Sequence, residues 1–205
     1  MTRPKTSTNV YRINEIFYSL QGEGFHSGSP SVFVRFSGCN LRCSFCDTQH
    51  QTGSMMELTA IAEAVNQYPV AQWIILTGGE PSLFIDEEFV VKLKEATGKK
   101  IAIETNGTHP LPSHLDWVTL SPKTGFEGGD NAPCILTHCD ELKVVYCHQD
   151  LSQYQNINTQ NRFLQPCYCE NAEENRAHLE ACVKAVLQHP GWRLSLQMHR
   201  LIGIR

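Results

Sequence analysis

The sequence has no apolar run approaching the roughly 20 residues that a membrane-spanning helix needs. Its composition of 41% hydrophobic and 19% charged residues is that of an ordinary water-soluble protein. An apolar leader is missing as well: residues 1–9 are polar, so no secretory signal is expected and the expected location is the cytoplasm. Residues 1–12 read as a polar tail ahead of one domain over 13–205, since 205 residues suit a single core. Positive charge is scarce. With 17 Lys and Arg against 21 Asp and Glu the formal net charge is −4, and the basic footprint that a phosphate backbone selects is absent. A small molecule is therefore the expected partner, and nucleic acid is not. Internal repeats and low-complexity segments are also lacking, which excludes a solenoid.

Cysteine, by contrast, is plentiful at nine residues. An odd number without a leader makes a disulfide framework unexpected. Three of them, Cys39, Cys43 and Cys46, fall within eight residues as C-x3-C-x2-C, directly after the strand-like Ser31-Val32-Phe33-Val34-Arg35-Phe36. A structural zinc site takes four ligands, usually from two C-x2-C units, and only one such unit is present. Iron-sulfur clusters normally take four cysteines, so three suggest a cubane with one iron open to an outside ligand. A zinc knob and a Cys43/Cys46 redox pair are the other readings of the same residues. The other six cysteines show no second cluster spacing. Cys182 lies on an apolar helical face and reads as core, whereas Cys134 with Cys139, or Cys167 with Cys169, could contribute to a second metal or simply be buried.

Apolar, β-branched segments predict strands at 13–20, 31–36, 73–77, 100–104, 117–120, 141–145, 162–166 and 193–197. Helices are expected over 57–68 with Thr59 as N-cap, from Asp86 to Gly98, and after Asn171, where Leu179, Cys182, Val183 and Val186 form an apolar stripe. Strands alternating with helices give a parallel sheet. Several connections are too short for helices, and about 200 residues is the low end for a closed eightfold barrel. The expected fold class is therefore α/β, as a compact, incomplete (β/α) barrel. Polar motifs follow the strands: Gln21-Gly22-Glu23, the cysteines, Thr77-Gly78-Gly79-Glu80, Glu104-Thr105-Asn106, Ser121-Pro122-Lys123 and Gln165-Pro166. Each alone is ordinary turn punctuation, but in a parallel barrel the C-terminal strand ends share one face, so together they would converge.

The cysteine triplet, with Phe45 just before its third member, resembles the signature of the radical S-adenosylmethionine (SAM) superfamily. Gly78-Gly79-Glu80 is similar to that superfamily's glycine-glycine-glutamate motif. Adding residues 20–24, Arg35, Cys46-Asp47-Thr48, residues 104–107 and 121–123 and the closing residues 192–199, the chain from about residue 13 onward resembles the 7-carboxy-7-deazaguanine synthase family of queuosine biosynthesis. The resemblance implies a radical-SAM barrel and a lyase that converts 6-carboxy-5,6,7,8-tetrahydropterin to 7-carboxy-7-deazaguanine with loss of ammonia, SAM being used catalytically. It implies that Cys39, Cys43 and Cys46 hold a 4Fe-4S cluster. SAM would meet Phe45, Cys46, Asp47, Gly79, Glu80, Ser121, Pro122, Lys123 and Gln165. The pterin would meet Leu20, Gln21, Gly22, Arg35, Thr77 and Glu104. Magnesium would be placed by Thr48, although an Asp-Thr pair by itself reads as a cap or turn. No side chain beyond the cluster and SAM is assigned as catalytic, and Gln197 and His199 receive no role. A flavodoxin- or ferredoxin-type electron donor and a homodimer are further implications. Two other functions fit parts of the pattern: a glycyl-radical-enzyme activase, which shares C-x3-C-x2-C, and a non-enzymatic zinc-binding interaction module.

Overall fold

The computed structural model describes residues 9–46, 48–129 and 132–205; Asp47, an expected SAM contact, lies outside them. The strands are β1 (Val10–Leu20), β2 (Pro30–Phe36), β3 (Ser54–Glu57), β4 (Trp73–Gly78), β5 (Lys100–Thr105), β6 (Trp117–Leu120), β7 (Glu141–Tyr146), β8 (Asn161–Pro166) and β9 (Arg193–Leu194). The helices are α1 (Leu58–Asn66), α2 (Glu87–Thr97), α3 (Ala172–Gln188) and α4 (Met198–Ile202). Among the described residues these nine strands form one sheet in the order β3-β1-β2-β4-β5-β6-β7-β8-β9. Pairing is parallel from β2 to β9, while β1 runs antiparallel to both β2 and β3. With β3 and β9 left as edges, the barrel is open, as expected.

Alternation along each strand explains where the site sits, because successive side chains point to opposite faces. On the outer face Ile74, Leu76, Ile101 and Ile103 pack with Ile61 and Val65 of α1 and Phe89 and Leu93 of α2. On the inner face Phe17, Phe33, Ile75 and Ala102 form an apolar floor. Two residues further along the same strands, the same face carries Arg35, Thr77 and Glu104. The floor is greasy and the rim is polar. A second core joins Leu142, Val144 and Leu164 to Cys182 and Ala185 of α3 and to Trp192.

Caps account for the helix ends. Asp86 accepts a hydrogen bond from Phe89 N at the start of α2, Gly98 (φ 65°) ends it, and Asn171 accepts from Glu173 N and Glu174 N at the start of α3. Four expectations are corrected. β1 begins at Val10 and not at residue 13, because Val10 to Ile13 pair with β3, a strand of four residues that is too short to show a period. Helix α1 starts at Leu58 with Glu57 in the N-cap position and no side-chain cap, so Thr59 lies inside the helix. On α3 the sheet-facing residues are Cys182 and Ala185, while Leu179 and Val183 turn outward at 38% and 37% exposure. The last strand is two residues long: Ser195 N still donates to Leu164 O, after which the chain folds into α4.

Candidate active site

The cysteine loop is held at both ends by backbone. Gly38 (φ 99°) turns the chain off β2, and its N–H donates to His50 O at 2.8 Å, closing the loop. Gly79 packs against that turn so tightly that a Cβ there would stand 1.9 Å from Gly38 O. Gly79 N donates to Phe36 O at 3.0 Å and Glu80 N to Gly38 O at 2.9 Å. On the other side Arg42 N and Ser44 N donate to Gly128 O and Glu127 O, and a Cβ on Gly128 would meet Arg42 O at 1.9 Å. The Phe45 ring sits edge-on to Phe126, centroids 4.9 Å apart.

Cys39, Cys43 and Cys46 all line one cavity of about 900 Å³ at the C-terminal end of the sheet, and no fourth described cysteine does. Burial, and then the charges of neighbouring groups including Glu80 and the other two thiols, raise the Cys39 thiol. Burial also raises Cys43, against the opposing pull of Lys123. Among the described residues no three His, Cys, Asp or Glu side chains are close enough to hold a metal ion. Neither Cys134/Cys139 nor Cys167/Cys169 belongs to such a group. A cubane makes a different demand: each thiolate takes its own iron, so the sulfurs need to face a common space and need not touch. Lys123, its Nζ held by Ser121 O at 2.8 Å and Ser121 Oγ at 2.6 Å, adds positive charge beside Cys43.

Glu80 is 1% exposed. Its Oε1 accepts from Ser82 N, Ser82 Oγ and Thr105 Oγ1, and its Oε2 from Asn106 N. The carboxylate thus ties the loop after β4 to the end of β5. Asn106 in turn donates to Asn40 Oδ1 at 3.1 Å, so the network reaches the cysteine loop. Gln165, 5% exposed, accepts from Ser195 Oγ at 3.0 Å and lines the cavity with Ser121 and Lys123. Pro122, expected beside SAM, is buried and is not among the residues that line the cavity.

Across the same cavity, Leu20, Gln21 and Gly22 lie near Thr77 and Glu104. Glu104 accepts from Gln21 Nε2 at 3.0 Å and from Thr77 Oγ1 at 3.3 Å. Lys143 sits between carboxylates, its Nζ 2.5 Å from Glu23 Oε2 and 3.5 Å from Glu104 Oε1, and Gln197 Nε2 donates to Glu23 Oε1 at 3.0 Å. Burial pushes Glu23 up, but the Lys143 ammonium and the bonds from Lys143 and Gln197 outweigh it and hold the carboxyl down at about 2. Burial likewise disfavours the charged Lys143, yet Glu104, Glu23 and Glu141 keep it above the usual lysine range. Arg35 pairs through Nε with Glu15 Oε1 at 2.9 Å, and Arg205 pairs with the other oxygen of Glu15. Thr48 lines the cavity near Asn14 and Gln49.

Residues 33–129 match the model of the radical SAM superfamily. A 7-carboxy-7-deazaguanine synthase from Bacteroides thetaiotaomicron is 55% identical over 194 residues, covering 95% of this chain and 98% of the relative. The chain belongs to the 7-carboxy-7-deazaguanine synthase family. A synthase of that name from Bordetella pertussis is 36% identical, covering 95% of this chain and 99% of its own. The crystal structure of QueE from Escherichia coli matches with a TM-score of 0.69 and 25% identity over 93% of this chain and 95% of that one. As a member of this family the chain is a radical SAM enzyme acting on a small molecule, with a 4Fe-4S cluster and SAM as cofactors. The zinc-module reading is thereby set aside. No helix among the described residues is long and apolar enough to cross a membrane.

Within this family member, the cavity is also lined by Lys143 and Arg205, which the sequence reading left out, and by Glu23, Asn106, Gln197 and His199, which it placed in motifs without giving them a role. Lys143 had a signal: it is a cation in the middle of the apolar run Glu141-Leu142-Lys143-Val144-Val145, at an inward-facing position of a strand. The return of α4 over the cavity had none. His199 crosses Gly22, where a Cβ would meet its Nδ1 at 2.4 Å, and Met198 N donates to Gly22 O.

Proposed function

We propose that this chain converts 6-carboxy-5,6,7,8-tetrahydropterin to 7-carboxy-7-deazaguanine with release of ammonia, in queuosine biosynthesis, regenerating SAM in each turnover. The reading rests above all on one cavity that presents three thiols on one wall and a fixed carboxylate, an amide and a guanidinium on the other. Cys39, Cys43 and Cys46 hold the 4Fe-4S cluster, which with SAM supplies radical chemistry at a single C–H bond when bound. Phe45, Cys46, Asp47, Gly79, Glu80, Ser121, Lys123 and Gln165 surround SAM. Since Glu80 already accepts four hydrogen bonds, its share in that work is to fix the Gly79 main chain, with one lone pair of Oε2 left for an ammonium.

The pterin lies against Leu20, Gln21 and Gly22. Glu104, held between Gln21, Thr77 and Lys143, accepts from the donor-rich aminopyrimidine edge, while Arg35 meets the substrate carboxylate with the bidentate geometry a guanidinium favours. Thr48 and that carboxylate place Mg²⁺, a hard ion that keeps few protein ligands and uses substrate oxygens. The loops exclude water and competing hydrogen donors, which is the protein's share of cofactor-borne radical chemistry. Residues 13–205, to which β1 adds the three before them, act as one domain in the cytoplasm, reduced by a flavodoxin- or ferredoxin-type protein. A homodimer is supported by Leu179, Val183 and Leu187, which form one exposed apolar stripe on α3.

Anaerobically reconstituted protein with SAM, a reductant and carboxytetrahydropterin is expected to form the deazapurine and one ammonia per product. Absence of turnover, together with a glycyl radical on an added protein partner, would replace this reading with the activase. Thr48→Ala is expected to keep its iron, sulfide and SAM binding but to lose most of the rate increase given by Mg²⁺. Unaltered Mg²⁺ dependence would remove Thr48 from the metal site.

A further inference from the structure

We propose that Cys147 and Cys167 form a reversible dithiol-disulfide pair on the cavity rim, oxidised by low-molecular-weight disulfides of the glutathione type. The parallel register of β7 and β8 runs without a break from Glu141 opposite Asn161 to Tyr146 opposite Pro166, and the next residue on each strand is a cysteine. Adjacent strands lie about 4.8 Å apart, inside the roughly 4.4–6.8 Å window between Cα atoms that a disulfide accepts. Residues directly opposite each other on neighbouring strands project to the same face of the sheet, so continuing this register places the two thiols on one side.

The surroundings hold this arrangement. Cys147 N donates to Gln149 Oε1 at 2.7 Å, and Gln149 Nε2 returns a bond to Val145 O at 2.7 Å. His148 is the one non-glycine among the described residues with positive φ, 65°, and it turns the chain away immediately after the thiol; such backbone strain tends to sit at functional positions. On the other strand the Cys167 carbonyl bonds His178 Nδ1 at 2.8 Å. The nearby Cys169 is engaged elsewhere, its Sγ 3.3 Å from Glu174 Oε2 and 3.5 Å from Asn171 O.

Exposure divides the roles. Cys147 is exposed and Cys167 is buried, so Cys147 meets the oxidant and Cys167 resolves. The Cys147 thiolate attacks one sulfur of the small disulfide, forming a mixed disulfide and releasing one thiolate. The Cys167 thiolate then attacks Cys147 Sγ and releases the second. Two protein thiols become one disulfide, the small disulfide is reduced to two thiols, and the two protons lost by the cysteines end on the released thiolates. Because Val145, Gln165 and Tyr168 line the active cavity, the bond staples the two strands directly beside it.

The test uses the cluster-loaded protein in anaerobic glutathione buffers graded from reduced to oxidised, with free thiols alkylated and peptides mapped by mass spectrometry. As the oxidised fraction grows, the peptide linking 147 to 167 should exceed every other cysteine pairing at least tenfold and disappear on addition of dithiothreitol. It should be absent from Cys147→Ser, whose exposed position tolerates serine, and retained in Cys139→Ser. Full alkylation of Cys147 throughout, its recovery solely as a glutathione adduct, or a bridge to Cys169 would each overturn the proposal.

Discussion

Gly79→Ala is expected to strip the protein of its iron while leaving it folded. The added methyl would stand 1.9 Å from Gly38 O and 2.4 Å from Gly38 C. Both are backbone atoms, so no rotamer change relieves the contact. The two chains must part, and they are joined there by Gly79 N to Phe36 O and Glu80 N to Gly38 O. Overpacking of this kind costs about 1–3 kcal/mol, and two weakened backbone hydrogen bonds add about 1 kcal/mol each. Much of that cost can be relieved by shifting residues 38–46, since the rest of the sheet is untouched. The expected result is a drop in Tm of less than about 10 °C, iron and sulfide below half the wild-type content after reconstitution, and turnover reduced at least a hundredfold. Gly191→Ala is the control, because a Cβ there meets nothing within 4 Å. Full cluster loading and normal turnover in Gly79→Ala would show that the contact with Gly38 does not position the cysteine loop.

The close approach of Gly79 to Gly38 leaves no mark in the sequence. The open barrel was legible because β-branched runs and caps act locally: Asp86, Gly98 and Asn171 behave as their residue types dictate. The motifs were legible because a parallel sheet delivers every strand's C-terminal end to one face, and Thr77, Glu104, Ser121 and Gln165 do share a cavity. What joins the motifs was not. Glu80 reads as a ligand in sequence, whereas in the fold four hydrogen bonds make it a brace between two loops. Gly128, Phe126 and His199 contact site loops more than 80 residues away in the chain, through backbone and ring packing that leaves no periodic trace. Outward rotation of Leu179 and Val183 on α3 was equally hidden, since an apolar stripe at helical spacing does not say which of its edges meets the sheet.

The buried charges under the substrate wall give the other large effect. Lys143 is 5% exposed and Glu141 2%, so Lys143 faces Glu23, Glu104 and Glu141 with little water to screen them. Lys143→Met keeps the volume and removes the cation, leaving at least one carboxylate buried without a counter-charge, which typically costs about 3–5 kcal/mol. A fall in Tm of about 10 °C is expected, with turnover lost because Glu104 no longer has a fixed orientation. The pH dependence separates this cause from a simple packing defect. In the wild type, Glu23 has its pKa lowered from 4.5 to about 2. Its contribution is therefore fully present above about pH 4.5 and is lost as pH falls toward 2. Without Lys143, burial, the largest influence on Glu23, is opposed only by the Gln197 bond and the charge of His199; the group is then expected to rise past its unfolded value, so that the folded state binds the proton more tightly than the unfolded state and the sign reverses. Acidifying Lys143→Met from pH 8 to 5 should raise its Tm, whereas the wild type should gain nothing from this group over that range. Glu23→Gln added to Lys143→Met should recover part of the lost stability, because it removes one unpaired charge. A double variant no more stable than Lys143→Met, with a flat pH profile in both, would mean that water reaches these carboxylates and that the lysine is not their counter-ion.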